Sequence, residues 1–200
     1  MAKIRSIKDK QKNNDKRNQI ILGVLLVILM VFSTLGYAFR GTGSDDTSRK
    51  TVVYKNFEFT SQGSYWVSDV NGRDYIFSYN PYEVNRTNSS LGGIDNYYGK
   101  PLYVYPSESD DAILEIIRNL SPQYRSDYIV QRTQEACLNA EDCIGTDFPV
   151  RDCSNNFIII RESNNSRIYQ NESCVFIEGK SEDLVKLADE FLFKVLDIRE

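Results

Sequence analysis

Tyr65-Trp66-Val67-Ser68-Asp69-Val70-Asn71-Gly72-Arg73-Asp74-Tyr75-Ile76-Phe77-Ser78-Tyr79 is the stretch on which the fold class turns. Two runs rich in aromatic and β-branched residues flank Asn71-Gly72, a pair that tolerates the positive φ of a tight two-residue turn. The reading is a hairpin of strands Tyr65–Val70 and Arg73–Tyr79. Its register places Trp66 opposite Phe77 on one face and sets Asp69 against Asp74. Upstream, Phe57 and Phe59 alternate with Asn56, Glu58 and Thr60, so Thr51–Thr60 reads as a third strand of a meander.

Downstream, Asn80 to Lys100 is polar and turn-rich, with Pro81, Gly92, Gly93 and Gly99. So long an irregular stretch is unusual in a compact domain, and it reads as a mobile or binding loop. Pro101–Tyr105 is a short apolar strand. Ser107 and Ser109 stand where helix N-caps belong, and Ile113, Ile116, Ile117 and Leu120 follow at helical spacing. Residues 124–138 lack a clean period and read as helical ahead of a cysteine-rich loop, 137–153. Phe157–Arg161 and Cys174–Glu178 read as core strands, joined through Asn164-Asn165 and a middle strand at Arg167–Tyr169. Ser181 then opens a helix with the apolar stripe Leu184, Leu187, Ala188, Phe191 and Val195, and Glu182 and Asp183 suit its first-turn dipole. No repeat of fixed period is apparent. The expected class is α+β: one mainly antiparallel sheet over residues 51–200, covered by two or three helices.

The other end of the chain has a different character. Residues 1–19 carry seven basic groups (Lys3, Arg5, Lys8, Lys10, Lys12, Lys16, Arg17) against Asp9 and Asp15. From Ile20 to Phe39 there is no charged residue, and 20 residues of helix span about 30 Å, the thickness of the bilayer hydrocarbon. Tyr37 and Phe39 suit the headgroup layer. Basic residues are denser before the segment than after it, where Arg40, Arg49, Lys50 and Lys55 follow, which sets the N-terminus in the cytoplasm. Gly36 and Ala38 have the spacing of a signal-peptidase site, but the apolar run is longer than a usual signal core. The organisation is therefore a basic cytoplasmic tail (1–19), a transmembrane helix (20–39), a flexible stalk (40–50) and an extracytoplasmic domain (51–200).

Cysteine usage agrees with that topology. Cys137, Cys143, Cys153 and Cys174 all fall on the outer side, where an even number forms disulfides. Pairing Cys137 with Cys143 and Cys153 with Cys174 closes two local segments. No Cys-x-x-Cys is present, which speaks against zinc and redox motifs. Asn-x-Ser/Thr sequons occur at Asn85, Asn88, Asn119, Asn164 and Asn171, permissive for glycans; Pro122 after the third makes Asn119 the poorest acceptor.

The chain has no histidine, which removes Ser-His-Asp and Cys-His relays, histidine zinc sites and imidazole switches. Beyond the tail the net charge is −9, unsuited to nucleic acid. Gly179-Lys180-Ser181 has the ending of a phosphate loop, but Cys174 stands where the first glycine belongs. Asp69, Asn71 and Asp74 are weak calcium candidates, since an ion relieves facing carboxylates. Glu108, Asp110 and Asp111 crowd a helix start, where the dipole explains them, and Asp142, Asp147 and Asp152 read as solvated loop residues. Tyrosines near the 80–100 loop, namely Tyr65, Tyr79, Tyr82, Tyr97 and Tyr98, are the binding-site candidates.

The sequence calls for no cofactor. Its partners are expected to be the lipid bilayer and a cell-surface protein or glycan. A binding or structural ectodomain is the leading expectation. The alternatives are a tethered carboxylate-dependent hydrolase of cell-envelope polymers and a small accessory subunit of a membrane complex. Gly23 and Gly36 offer that last role only weak helix-packing positions. Two carboxylates converging in a pocket would favour the hydrolase, and a flat aromatic face would favour binding.

Overall fold

Lys55 and Asn56 turn the chain back on itself, so the stretch expected as one strand is two: β1 (Thr51–Tyr54) and β2 (Phe57–Gln62). Lys55 adopts φ +52°, and Tyr54 pairs with Phe57 across the turn. A lysine at a left-handed position gives no sequence warning of a turn. β3 (Tyr65–Val70) and β4 (Arg73–Phe77) follow. Between them Asn71 and Gly72 both take positive φ, +56° and +80°, as such a turn requires. The meander therefore has four antiparallel strands in the order β1-β2-β3-β4, not three. Trp66 and Phe77 are register partners, as are Asp69 and Asp74.

The computed structural model describes residues 22–30, 50–106, 109–121 and 129–199. The chain divides into two units, Met1–Ser48 and Arg49–Glu200. In the first, residues 22–30 form a helix, α1, with exposed side chains. The tail 1–19, the rest of the apolar segment 20–39 and the stalk up to residue 49 lie outside the described residues. Among the described residues no helix is long and apolar enough to cross a membrane.

In the second unit the single antiparallel sheet expected from sequence is replaced by two sheets. The second comprises β5 (Pro101–Val104), β6 (Arg132–Glu135), β7 (Phe157–Glu162), β8 (Arg167–Asn171) and β9 (Cys174–Gly179). Its order is β6-β5-β7-β9-β8, parallel throughout except for β8 against β9. Parallel strands are covered on both faces and carry unbroken apolar runs. Phe157-Ile158-Ile159-Ile160 is such a run, and all four residues are buried. The expected helix over 124–138 gives way to strand β6, whose backbone pairs with β5. Residues 122–128 fall outside the described set.

α2 (Asp110–Leu120) and α3 (Leu184–Val195) pack on each other between the two sheets. Phe193 of α3 packs its ring against Phe59 (5.9 Å) and Phe77 (4.9 Å) of the first sheet. Val175 and Ile177 of β9 belong to the same buried cluster on the other side. A helix with a sheet on each side is buried all round, so α3 conceals far more than its predicted stripe. Leu187 to Val195 are all buried, Asp189, Glu190 and Lys194 included. Ser181 sits in a short 3-10 turn (Ser181–Asp183) without a side-chain capping bond, and Ser109 likewise makes none at the start of α2.

Those buried charges decide the fate of the 80–100 loop. Arg199 donates to the carbonyls of Pro81 and Val84, and to Glu190 Oε2 at 2.5 Å. Glu190 Oε1 accepts the Thr87 N–H at 3.1 Å, and Lys194 Nζ donates to the Ser89 carbonyl at 3.1 Å. Gln170 accepts the Gly92 N–H at 2.7 Å. Backbone groups that approach the interior need partners, and the last helix supplies them. These bonds fasten the loop, whose sequence reads as either mobile or binding, to Glu190, Lys194, Arg199 and Gln170.

Both disulfides are present: Cys137–Cys143 and Cys153–Cys174. The second links the loop to β9 on the sheet face turned away from the helices. There Tyr103, Ala136, Phe157, Ile159 and Cys174 form a smaller buried cluster.

Candidate functional site

The five tyrosines singled out in the sequence do not assemble. Tyr97 is core, 4% exposed and set edge-on to Phe191 at 6.2 Å; burial raises its phenol pKa. It is thereby corrected from binding candidate to packing residue. Tyr79 is half-buried beneath Lys186 (5.3 Å). Tyr65 lies exposed under the Arg118 guanidinium at 4.6 Å. Tyr82 is exposed and donates its hydroxyl to the Val53 carbonyl at 3.0 Å. Tyr98 accepts from Arg73 at 3.0 Å beside the Asn71-Gly72 turn. Each attends to its own neighbour.

Asp69 does face Asp74, but its Oδ1 accepts the Gly72 N–H at 3.0 Å and so braces the turn. Among the described residues no group of three Cys, Asp or Glu is placed to hold a metal. Asp110 and Asp111 occupy the first turn of α2, where the helix dipole accounts for them; Glu108 lies outside the described residues. Of the sequons, Asn85, Asn88, Asn164 and Asn171 are exposed. Asn119 is fully buried and bonded to the backbone, so no transferase can reach it.

One pair of carboxylates converges, and it is sealed. Asp189 is fully buried and Glu115 is 3% exposed. Asp189 Oδ2 accepts the Tyr79 N–H at 2.8 Å, while its Oδ1 is buried with no donor. Glu115 takes the Ser78 N–H (3.1 Å), the Ser78 hydroxyl (2.6 Å) and Arg118 (2.5 Å). Burial first, then the charge of Glu115, raises the Asp189 pKa well above the usual carboxylate range. A proton on Asp189 directed at Glu115 satisfies both groups. Neither residue lines any of three surface grooves, of about 420, 440 and 250 Å³. The pair joins layers; no substrate reaches it.

The outer face of the second sheet presents a different chemistry. Alternation along the strands turns Tyr103, Phe157, Ile159, Arg161, Phe176, Glu178, Arg167 and Tyr169 away from the helices. Side chains from four adjacent strands form one row. Arg161 of β7 lies over Tyr105 at 5.6 Å and over Phe176 at 5.8 Å. Phe176 stacks on Tyr169 at 4.8 Å with planes 6° apart, and Arg167 lies over Tyr169 at 4.9 Å. Each cation lies within the ~6 Å over which a ring face attracts it.

Glu178 holds one end of the row. Its Oε2 accepts from Arg167 Nε and from the Arg167 terminal nitrogen, both at 2.6 Å, and its Oε1 accepts the Tyr169 hydroxyl at 3.1 Å. The carboxylate raises the Arg167 pKa, and burial together with Glu178 raises that of Tyr169. The disulfide loop closes the other end. Arg151 lies over Tyr103 at 5.1 Å; hydrogen bonds from Arg151 and then Arg132 lower the Tyr103 pKa. Burial, then Asp142, raises that of Tyr105. Sequence reasoning missed this row because its members are scattered over residues 103–178. The one signal was Arg and Tyr two apart, at Arg167 and Tyr169, in a run facing one side.

Comparison of the chain with protein-family models, with curated proteins and with solved structures finds no match in any of the three.

Proposed function

We propose that this chain is a membrane-anchored binding protein, with residues 20–39 spanning the bilayer and the 51–200 domain outside. In this reading the domain contacts a cell-surface component through the outer face of its second sheet. One contrast supports it. The carboxylates that converge, Glu115 and Asp189, are sealed between layers, whereas on the outer face of the second sheet the exposed Arg161 and Arg167 lie over half-buried rings. General acid–base chemistry needs its groups within reach of a substrate; surface recognition needs only presented donors and rings. The two disulfides accord with an oxidising exterior.

The test uses the full-length chain, tagged on its N-terminal tail, cross-linked on intact cells and purified from the membrane. The wild type is expected to recover a surface component that the double variant Arg151→Glu, Arg161→Glu loses. Protease added to intact cells should spare the tag and digest the domain. Equal recovery by both forms, or a tag cut from outside, would sink the proposal.

A further inference from the structure

Five Asn-x-Ser/Thr sequons lie between residues 85 and 173, and the fold does not present them equally. Transfer of an N-linked glycan needs the asparagine amide and the hydroxyl two residues on within reach of one enzyme. A sequon therefore counts where both side chains are offered. Asn119 fails outright, buried and bonded to the backbone of Ile76. Asn171 is exposed, but its partner Ser173 is half-buried and held on both sides. The Ser173 N–H donates to the Cys153 carbonyl at 2.9 Å, and its carbonyl accepts the Phe157 N–H at 3.1 Å. Asn85 is exposed as well, but its partner Thr87 is half-buried. Glu190 accepts the Thr87 N–H at 3.1 Å, and the Thr87 hydroxyl lies 3.1 Å from that of Ser89.

Two sequons remain. Glu190 and Lys194 of α3 hold the backbone of Thr87 and Ser89 and keep both residues half-buried. Residues two apart in extended chain share a side, so Asn88 and Ser90 are turned outward together, and both are exposed. In the bend between β7 and β8 the Ser163 N–H donates to the Gly179 carbonyl at 2.7 Å, and the Asn165 N–H to Ser163 Oγ at 3.2 Å. That brace leaves Asn164 and Ser166 exposed. Far apart in the chain, the two sequons meet in the fold: Asn88 and Ser166 line the same groove of about 420 Å³.

We infer that Asn88 and Asn164 carry N-linked glycans, one on the loop side of that groove and one on the β8 side. In each transfer the asparagine Nδ2 bonds to the anomeric carbon of a lipid-linked oligosaccharide. The bond from that carbon to the phosphorylated lipid breaks, and an amide proton passes to a base of the transferase. The inference rests on the proposed placement of the 51–200 domain outside the membrane, and it names the positions where that domain bears sugar.

The test purifies the full-length chain from its native membrane, measures its intact mass and maps its peptides by tandem mass spectrometry. Two glycans are expected, at Asn88 and Asn164. Ser90→Ala should remove only the first and Ser166→Ala only the second, with both asparagines still in place. Thr87→Ala and Ser173→Ala should leave the mass of attached sugar unchanged, since Asn85 and Asn171 are bare.

A bare Asn88 or Asn164 in the wild type overturns the inference. So does sugar at Asn85 or Asn171, or sugar that persists when its hydroxyl is removed. If both sites are bare while external protease digests the domain and spares the N-terminal tag, only this inference fails. If the tag is cut from outside, the placement of the domain fails with it.

Discussion

The carboxamide of Asn119 in α2 pairs with the backbone of Ile76 in β4 at both ends: Oδ1 accepts the Ile76 N–H at 2.9 Å and Nδ2 donates to the Ile76 carbonyl at 2.7 Å. A strand at the rim of a sheet exposes unpaired backbone groups. Here a side chain does what a fifth strand would do. Ser78 N–H to Glu115 and Tyr79 N–H to Asp189 continue the same seam. The helix layer is therefore joined to the first sheet by hydrogen bonds as well as by the Phe59–Phe77–Phe193 cluster.

Asn119→Ala should cost about 2–4 kcal/mol, because two bonds vanish and the Ile76 groups are left dry. Denaturant midpoints of the detergent-held chain would measure it. A loss below half a kcal/mol would mean that water replaces the amide. Intact mass should show no glycan at Asn119 in any preparation.

Asp189 sets a pH dependence of definite sign. Its folded pKa stands above the unfolded value of about 3.8. Its contribution to stability is therefore complete below that value and is lost as pH rises through the folded pKa. Asp189→Asn keeps an acceptor for Tyr79 and can donate to Glu115 with no proton to lose. The variant should match the wild type near pH 4 and exceed it increasingly toward pH 8 in thermal unfolding. A constant deficit at every pH would show that Asp189 is charged in the folded protein.

Arg199 follows the last helix and is 3% exposed. Arg199→Ala should cost about 3–5 kcal/mol, since it strands the buried Glu190 carboxylate. Burial alone would raise the Tyr54 phenol pKa, but Arg86 and Arg199 outweigh it and lower it; loss of Arg199 should let it rise. Hydrogen exchange should quicken at Thr87, whose N–H is held by Glu190. Unchanged exchange there would mean that the loop holds itself.

The disulfides should differ in worth. Cys153–Cys174 spans 21 residues and Cys137–Cys143 spans 6. Chain entropy assigns them about 3.3 and about 2.2 kcal/mol respectively. Replacing Cys153 and Cys174 by Ser should do more harm than replacing the other pair, all the more because Cys174 is fully buried. Urea titration of the two double variants ranks them, and the reverse order would place the main constraint in the loop.

Local chemistry was legible in the residues themselves. Asn71-Gly72 announced its turn because few other pairs accept positive φ twice, and the register of Asp69 against Asp74 followed from it. Spacing along the chain also marked out α2, α3 and the two local disulfides, since a period or a short loop is a property of neighbours. The division into two sheets was not readable in that way. The turn at Lys55-Asn56 puts its positive φ on the lysine and not on the turn-former Asn56, so the pair lacks the signature of a tight turn, and the unbroken run Phe157–Ile160 serves a strand in either direction until its partners are known. The candidate site lay further still from view. Tyr105, Arg161, Phe176 and Arg167 are separated by up to 71 positions in the chain, and only the order β5-β7-β9-β8 lays them side by side. The pairing of strands far apart in sequence is settled by burial and hydrogen bonding of the whole fold, and the row of cations and rings exists only once that pairing is made.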